Sequence, residues 1–60
     1  EKLEVLYLLG EYNRRLGNTK KAQSYFDQIK DVEYKTPKGE KKTGHPYFME
    51  LAKDRKKLIK

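Results

Sequence analysis

The sequence predicts an all-α fold in which two helices form an antiparallel hairpin and a third, C-terminal helix caps it. Apolar residues recur at helical spacing in two segments of residues 1–34, and Gly17 separates these segments. A third segment with this spacing begins at Pro46, which suits the first position of a helix because its missing amide is not needed there. We therefore divide the chain into a helix–turn–helix over 1–34, a loop over 35–45 and a C-terminal helix over 46–60.

The first helix is predicted from the leucine-rich run LEVLYLL at residues 3–9. One helical face carries apolar side chains at helical spacing: Val5, Leu8, Leu9, Tyr12 and Leu16. An adjacent stripe carries a second set: Leu3, Leu6, Gly10 and Asn13. A helix that is apolar almost all round is buried on more than one side. We therefore expect LEVLYLL to contact a protein partner or a second copy of the chain.

The second helix begins after Gly17, which can end the first helix in the left-handed conformation. Asn18 or Thr19 can accept a hydrogen bond from its first turn. Its apolar stripe has helical spacing: Ala22, Tyr25, Phe26 and Ile29. We expect this helix to end near residue 32 or 34, and the short connection to make the pair antiparallel.

The remaining chain contains a basic loop and a third helix. Residues 35–45 include four lysines, two glycines and one proline without periodicity, which predicts a flexible loop. The third helix is expected over about 46–59, with one face formed by Phe48, Leu51, Ala52, Arg55, Leu58 and Ile59.

A glycine inside the first helix indicates close packing between the first two helices. Gly10 costs roughly 1 kcal/mol relative to alanine in a helix, and an approach of Gly10 to Ala22 would compensate for that cost. Leu9 and Phe26 are expected to fill the space beside this contact.

These residues resemble the tetratricopeptide (TPR) repeat, a helix–turn–helix of 34 residues. The matches in type and spacing, over about residues 3–34, are Leu9, Gly10, Gly17, Ala22 and Phe26. The departures are residues where the family usually has tryptophan, tyrosine, alanine and proline: Leu6, Asn13, Ile29 and Tyr34. The long loop before the third helix also departs from a regular array, so the third helix is expected to be a terminal one.

The TPR resemblance implies peptide binding on the surface formed by first helices. In this register that surface offers Glu4, Tyr7, Glu11 and Arg14. Tyr7 and Glu11 stand where the clamp for chaperone C-termini has lysine and asparagine, which disfavours an acidic chaperone tail. The candidate interface combines this surface with LEVLYLL, and comprises Leu3, Val5, Leu6, Tyr7 and Arg14.

The sequence also resembles, more weakly, the C-terminal TPR-like part of a prokaryotic family of unknown function. Members of that family carry a zinc-ribbon-like cysteine region before the helical part. The resemblance rests on YLLGEYNRRLGNTKKAQSYF. We accordingly expect this chain to be part of a longer protein.

Several function classes have little support in the composition. The chain has no cysteine and one histidine, which argues against a zinc centre or another cofactor. Asp27, Asp31 and Glu33 are expected on a solvated face, His45 is expected in the loop, and we predict neither an enzyme nor a small-molecule substrate. No apolar run reaches the roughly 18 residues of a membrane span, and a cytoplasmic location is expected.

Two functions remain, and the first is a non-catalytic protein–protein interaction module that can self-associate. The alternative is binding of a polyanion or nucleic acid through the basic half, since the net charge of +6 arises within residues 35–60. The candidate contacts are Lys41, Lys42, Lys53, Lys56 and Lys57. Tyr47 or Phe48 could stack on a base, although their spacing favours core packing.

Overall fold

The computed structural model describes residues 2–59 and contains the three expected helices. Helices α1 and α2 form the hairpin, a single 3₁₀ turn follows, and a pair of short strands precedes α3. The bounds are α1 Lys2–Arg15, α2 Thr19–Gln28, 3₁₀ turn Ile29–Asp31, β1 Glu33–Lys35, β2 Lys41–Thr43 and α3 Pro46–Lys56. Helix α2 is therefore shorter than predicted, and α3 ends at Lys56 rather than at residue 59.

The fold is mostly helical but not all-α, because the segment expected to be a loop contains a two-stranded antiparallel sheet. Strand β1 pairs with β2 in a register that places Tyr34 opposite Lys42. The amide of Gly39 donates to the carbonyl of Thr36 at 2.8 Å, and Gly39 has φ +84°. Pro37 between them suits the tight turn. The strands were not predicted because each has only three residues, with lysines among them, and shows no alternation of apolar and polar residues.

A small core holds the helices together. Its buried residues are Leu6, Ala22, Phe26, Ile29 and Ala52. Half-buried side chains packed against them include Leu3, Tyr7, Tyr25, Val32, Phe48 and Ile59. Of the two apolar stripes on α1, the one through Leu6 and Gly10 faces this core. The other stripe is left on the surface.

Gly10 contacts the ring of Phe26. A Cβ atom added at Gly10 would lie only 2.5 Å from Cε1 of that ring. The ring therefore rests directly on the α1 backbone, in the space that any larger residue would occupy. Ala22 is also fully buried, but the close approach is made by Phe26.

The turn between α1 and α2 is closed by two asparagines. Gly17 has φ +83°, as expected for a left-handed residue after a helix. Asn18 occupies the N-cap position of α2, but its side chain makes no capping bond. It donates instead to Oδ1 of Asn13 at 3.2 Å, while Asn13 donates to the Leu9 carbonyl at 2.8 Å. The Asn18 side chain thus makes a hydrogen bond across the turn to Asn13 in place of the expected capping bond to the first turn of α2.

His45 lies in the loop between β2 and α3, as expected, and it also caps α3. Its Nδ1 accepts a hydrogen bond from the amide of Tyr47 at 3.2 Å, which makes it the N-cap residue. Its ring lies 4.6 Å from that of Tyr34 and 5.6 Å from that of Phe48, measured between centroids. His45 therefore connects β1 to the start of α3.

Replacing Gly10 by alanine should lower the free energy of unfolding. The methyl group would overlap the Phe26 ring, and such overpacking costs about 1–3 kcal/mol. Alanine also gains roughly 1 kcal/mol in helix propensity over glycine, which is at most equal to the lower end of that cost. Urea unfolding followed by circular dichroism measures the change. Gln23→Ala, at an exposed position of α2, is the control and should shift stability by about 0.5 kcal/mol or less. A Gly10→Ala variant more stable than the parent would contradict the contact.

Two substitutions at His45 should separate its capping bond from its ring contacts. Both His45→Ala and His45→Asn remove the imidazole, but asparagine retains a side-chain acceptor for the Tyr47 amide. We expect the asparagine variant to be more stable by about 1 kcal/mol in urea unfolding. Equal stabilities would mean that the cap contributes nothing.

Candidate functional site

An uncovered apolar surface runs along α1 and is here called the α1 face. Its side chains are between 36% and 62% exposed and consist of Val5, Leu8, Leu9, Tyr12 and Leu16. Four of the five belong to α1, and Leu16 follows directly after its last residue at the same helical spacing, so they form one continuous strip. Neighbouring apolar side chains that stay in contact with water are typical of a surface that binds another protein.

The structure places the predicted interface residues on different sides of α1. Val5 belongs to the α1 face. Leu6 is buried in the core, and Leu3 and Tyr7 pack against it, so these three are not free for a partner. Arg14 is half-buried beside Glu11. Of the predicted interface residues, Val5 alone lies on the α1 face, and the prediction did not include its other members, Leu8, Leu9, Tyr12 and Leu16.

The predicted helix-packing residues also divide into two groups. Gly10, Ala22 and Phe26 lie at the contact between α1 and α2, and Gly17 ends α1. Leu9 does not fill the space beside this contact, because it lies on the exposed stripe of α1. The spacing of apolar residues in the sequence could not show which of the two adjacent apolar stripes of α1 is buried.

Glu11 organises an ionic cluster on the side of α1 that faces α3. The residue is only 9% exposed, and its Oε1 accepts from Arg14 Nε at 3.1 Å and from Arg15 Nε at 3.4 Å. Arg55 of α3 places its Nε 3.2 Å from Oε2 of Glu11. The same Nε donates its hydrogen to the Tyr7 hydroxyl at 3.0 Å, so the contact between Arg55 and Glu11 is an ion pair without a hydrogen bond.

This cluster lowers the pKa of Glu11. The hydrogen bond from Arg14 is the largest cause, burial acts in the opposite direction, and the charges of Arg14 and Arg55 favour the carboxylate further. Arg55 of α3 contacts both Tyr7 and Glu11. Two of the four residues that the TPR resemblance predicts to face a peptide are therefore used in contacts within the chain.

The predicted lysines fall into two separate places. Lys41 and Lys42 lie on the exposed strand β2. Lys53 and Lys56 lie on α3 and Lys57 caps its end, and all three line a groove beside α2 together with Lys30. Sequence reasoning missed Lys30 because it belongs to the neutral half of the chain.

Neither a metal centre nor a membrane span is found within residues 2–59. No group of three or more histidine, aspartate or glutamate side chains in this range could hold a metal ion. No helix in the same range is long and apolar enough to cross a bilayer.

Glu11 should make stability depend on pH at the acid end. Its pKa is lower in the folded chain than the usual 4.5, so its ionisation stabilises the fold above that value, and the contribution is lost as pH falls through the folded pKa. At pH 6 we expect Glu11→Gln to cost about 1–3 kcal/mol in urea unfolding. The difference from the parent should shrink by pH 3. Glu50→Gln, at an exposed position of α3, is the control, and a pH-independent cost of Glu11→Gln would contradict the assignment.

Comparison of the chain with protein-family models, with curated proteins and with solved structures finds no match.

Proposed function

We propose that this protein is a non-catalytic, TPR-like interaction module that self-associates through the α1 face. The carrying observation is the strip of five exposed apolar side chains along α1 and the residue that follows it. Two observations support the TPR-like architecture. The first two helices form an antiparallel hairpin, and Gly10 lets Phe26 approach the α1 backbone closely, as small residues do where TPR helices cross.

A second copy of the chain is the proposed occupant of the α1 face. Exposed Glu4 lies near the start of the helix, and Arg15 lies at its end, with a side chain that is 74% exposed although its Nε lies 3.4 Å from Oε1 of Glu11. If two copies pair antiparallel, Glu4 of each copy approaches Arg15 of the other. The opposed helix dipoles also favour this arrangement. The α1 face is thus apolar, and the charges at its two ends are complementary to those of a second copy.

The interface between two such faces is small. Helix α1 has 14 residues and a length of roughly 21 Å, so the paired area falls at the low end of protein interfaces. We therefore expect a reversible dimer with a dissociation constant between about 1 µM and 1 mM.

The dimer can be tested by sedimentation velocity from about 5 µM to 1 mM protein, bracketing that range, at roughly 50 mM and 500 mM salt. The parent should dimerise at both salts, because most of the buried area is apolar. Leu8→Lys places a charge in the middle of the α1 face and should give a monomer.

Leu58→Lys is the matched control for this experiment. Leu58 is 52% exposed, close to the 55% of Leu8, but it lies after α3. This variant should dimerise like the parent. A parent that stays monomeric at the highest concentration would refute the proposal, and so would equal loss of dimer in both variants.

A further inference from the structure

We propose that the groove between α2 and α3 binds an acidic segment of a partner protein, with an apolar side chain seated between its carboxylates. This site is separate from the α1 face and does not depend on self-association.

The groove has an apolar floor and a basic rim. Its volume is about 510 Å³, and Phe26, Met49 and Ala52 form the apolar part of its lining. Phe26 and Ala52 are buried, whereas Met49 is 38% exposed. Because a methionine side chain is flexible, Met49 can adapt to an apolar side chain entering from a partner.

The rim carries an excess of positive charge. Lys30, Lys53, Lys56 and Lys57 line the groove, and Asp27 is the one acidic residue among its lining residues. Lys56 Nζ donates to Asp27 Oδ1 at 2.5 Å, so this pair is neutral. The other three lysines leave a charge complementary to two or three carboxylates, which defines the chemistry of the partner.

The composition of the groove favours a polypeptide over a nucleic acid. Single-stranded nucleic acids bind through aromatic side chains on which bases can stack. The aromatic ring in the lining is Phe26, which is already packed on Gly10, and exposed Tyr47 is not among the lining residues. An apolar floor bordered by lysines instead suits leucine-like side chains flanked by aspartate or glutamate.

Fluorescence anisotropy of a dye-labelled peptide tests the proposal. The probe contains two leucines flanked on each side by three acidic residues. Lys30→Gln combined with Lys53→Gln should weaken its binding about tenfold, as expected for the loss of two exposed ion pairs. Lys41→Gln combined with Lys42→Gln removes the same charge from β2 and should change the affinity by less than about twofold.

Two further probes test the apolar floor and the class of ligand. A peptide with serines in place of the leucines keeps the charge and should bind about tenfold more weakly. A labelled oligothymidine of twelve nucleotides should bind more weakly than the leucine peptide. The proposal is overturned if the serine peptide binds equally well, if oligothymidine binds more tightly, or if both lysine pairs cause the same loss.

Discussion

The contact of the Phe26 ring with the α1 backbone at Gly10 is the constraint on which the rest of the structure depends. It brings α1 and α2 together and leaves the ring almost wholly buried. Tyr7 packs beside this ring, with centroids 6.2 Å apart, and Phe48 of α3 packs on Tyr7 at 6.5 Å. The third helix is therefore positioned through side chains that the first contact has already fixed.

Polar contacts complete the attachment of α3. Arg55 meets both the Tyr7 hydroxyl and the Glu11 carboxylate, so one side chain joins the aromatic row to the ionic cluster. This use of α1 has a functional consequence. With Leu6, Tyr7 and Glu11 occupied inside the chain, the apolar side chains of α1 that stay exposed are those of the α1 face, and the basic groove is lined by other residues, from α2, the 3₁₀ turn and α3.

The sequence was sufficient to predict three helices, the end of α1 at Gly17 and the start of α3 at Pro46, because each depends on local conformational preference. It could not decide which stripe of α1 is buried, since both are apolar and tertiary packing makes the choice. Pairing of β1 with β2 was missed because it is driven by the turn through Pro37 and Gly39. The groove was missed because Lys30 is distant in sequence from the lysines of α3.

The hairpin of β1 and β2 also affects how copies of this chain can meet. A two-stranded sheet has two open edges, and unpaired strand edges readily recruit further strands. Here the exposed side chains along the hairpin include four lysines: Lys35, Lys38, Lys41 and Lys42. Lysine is the side chain that most often blunts an exposed strand edge, because a second strand pairing there would have to approach its charge. The composition of this hairpin thus disfavours edge-to-edge pairing between copies of the chain.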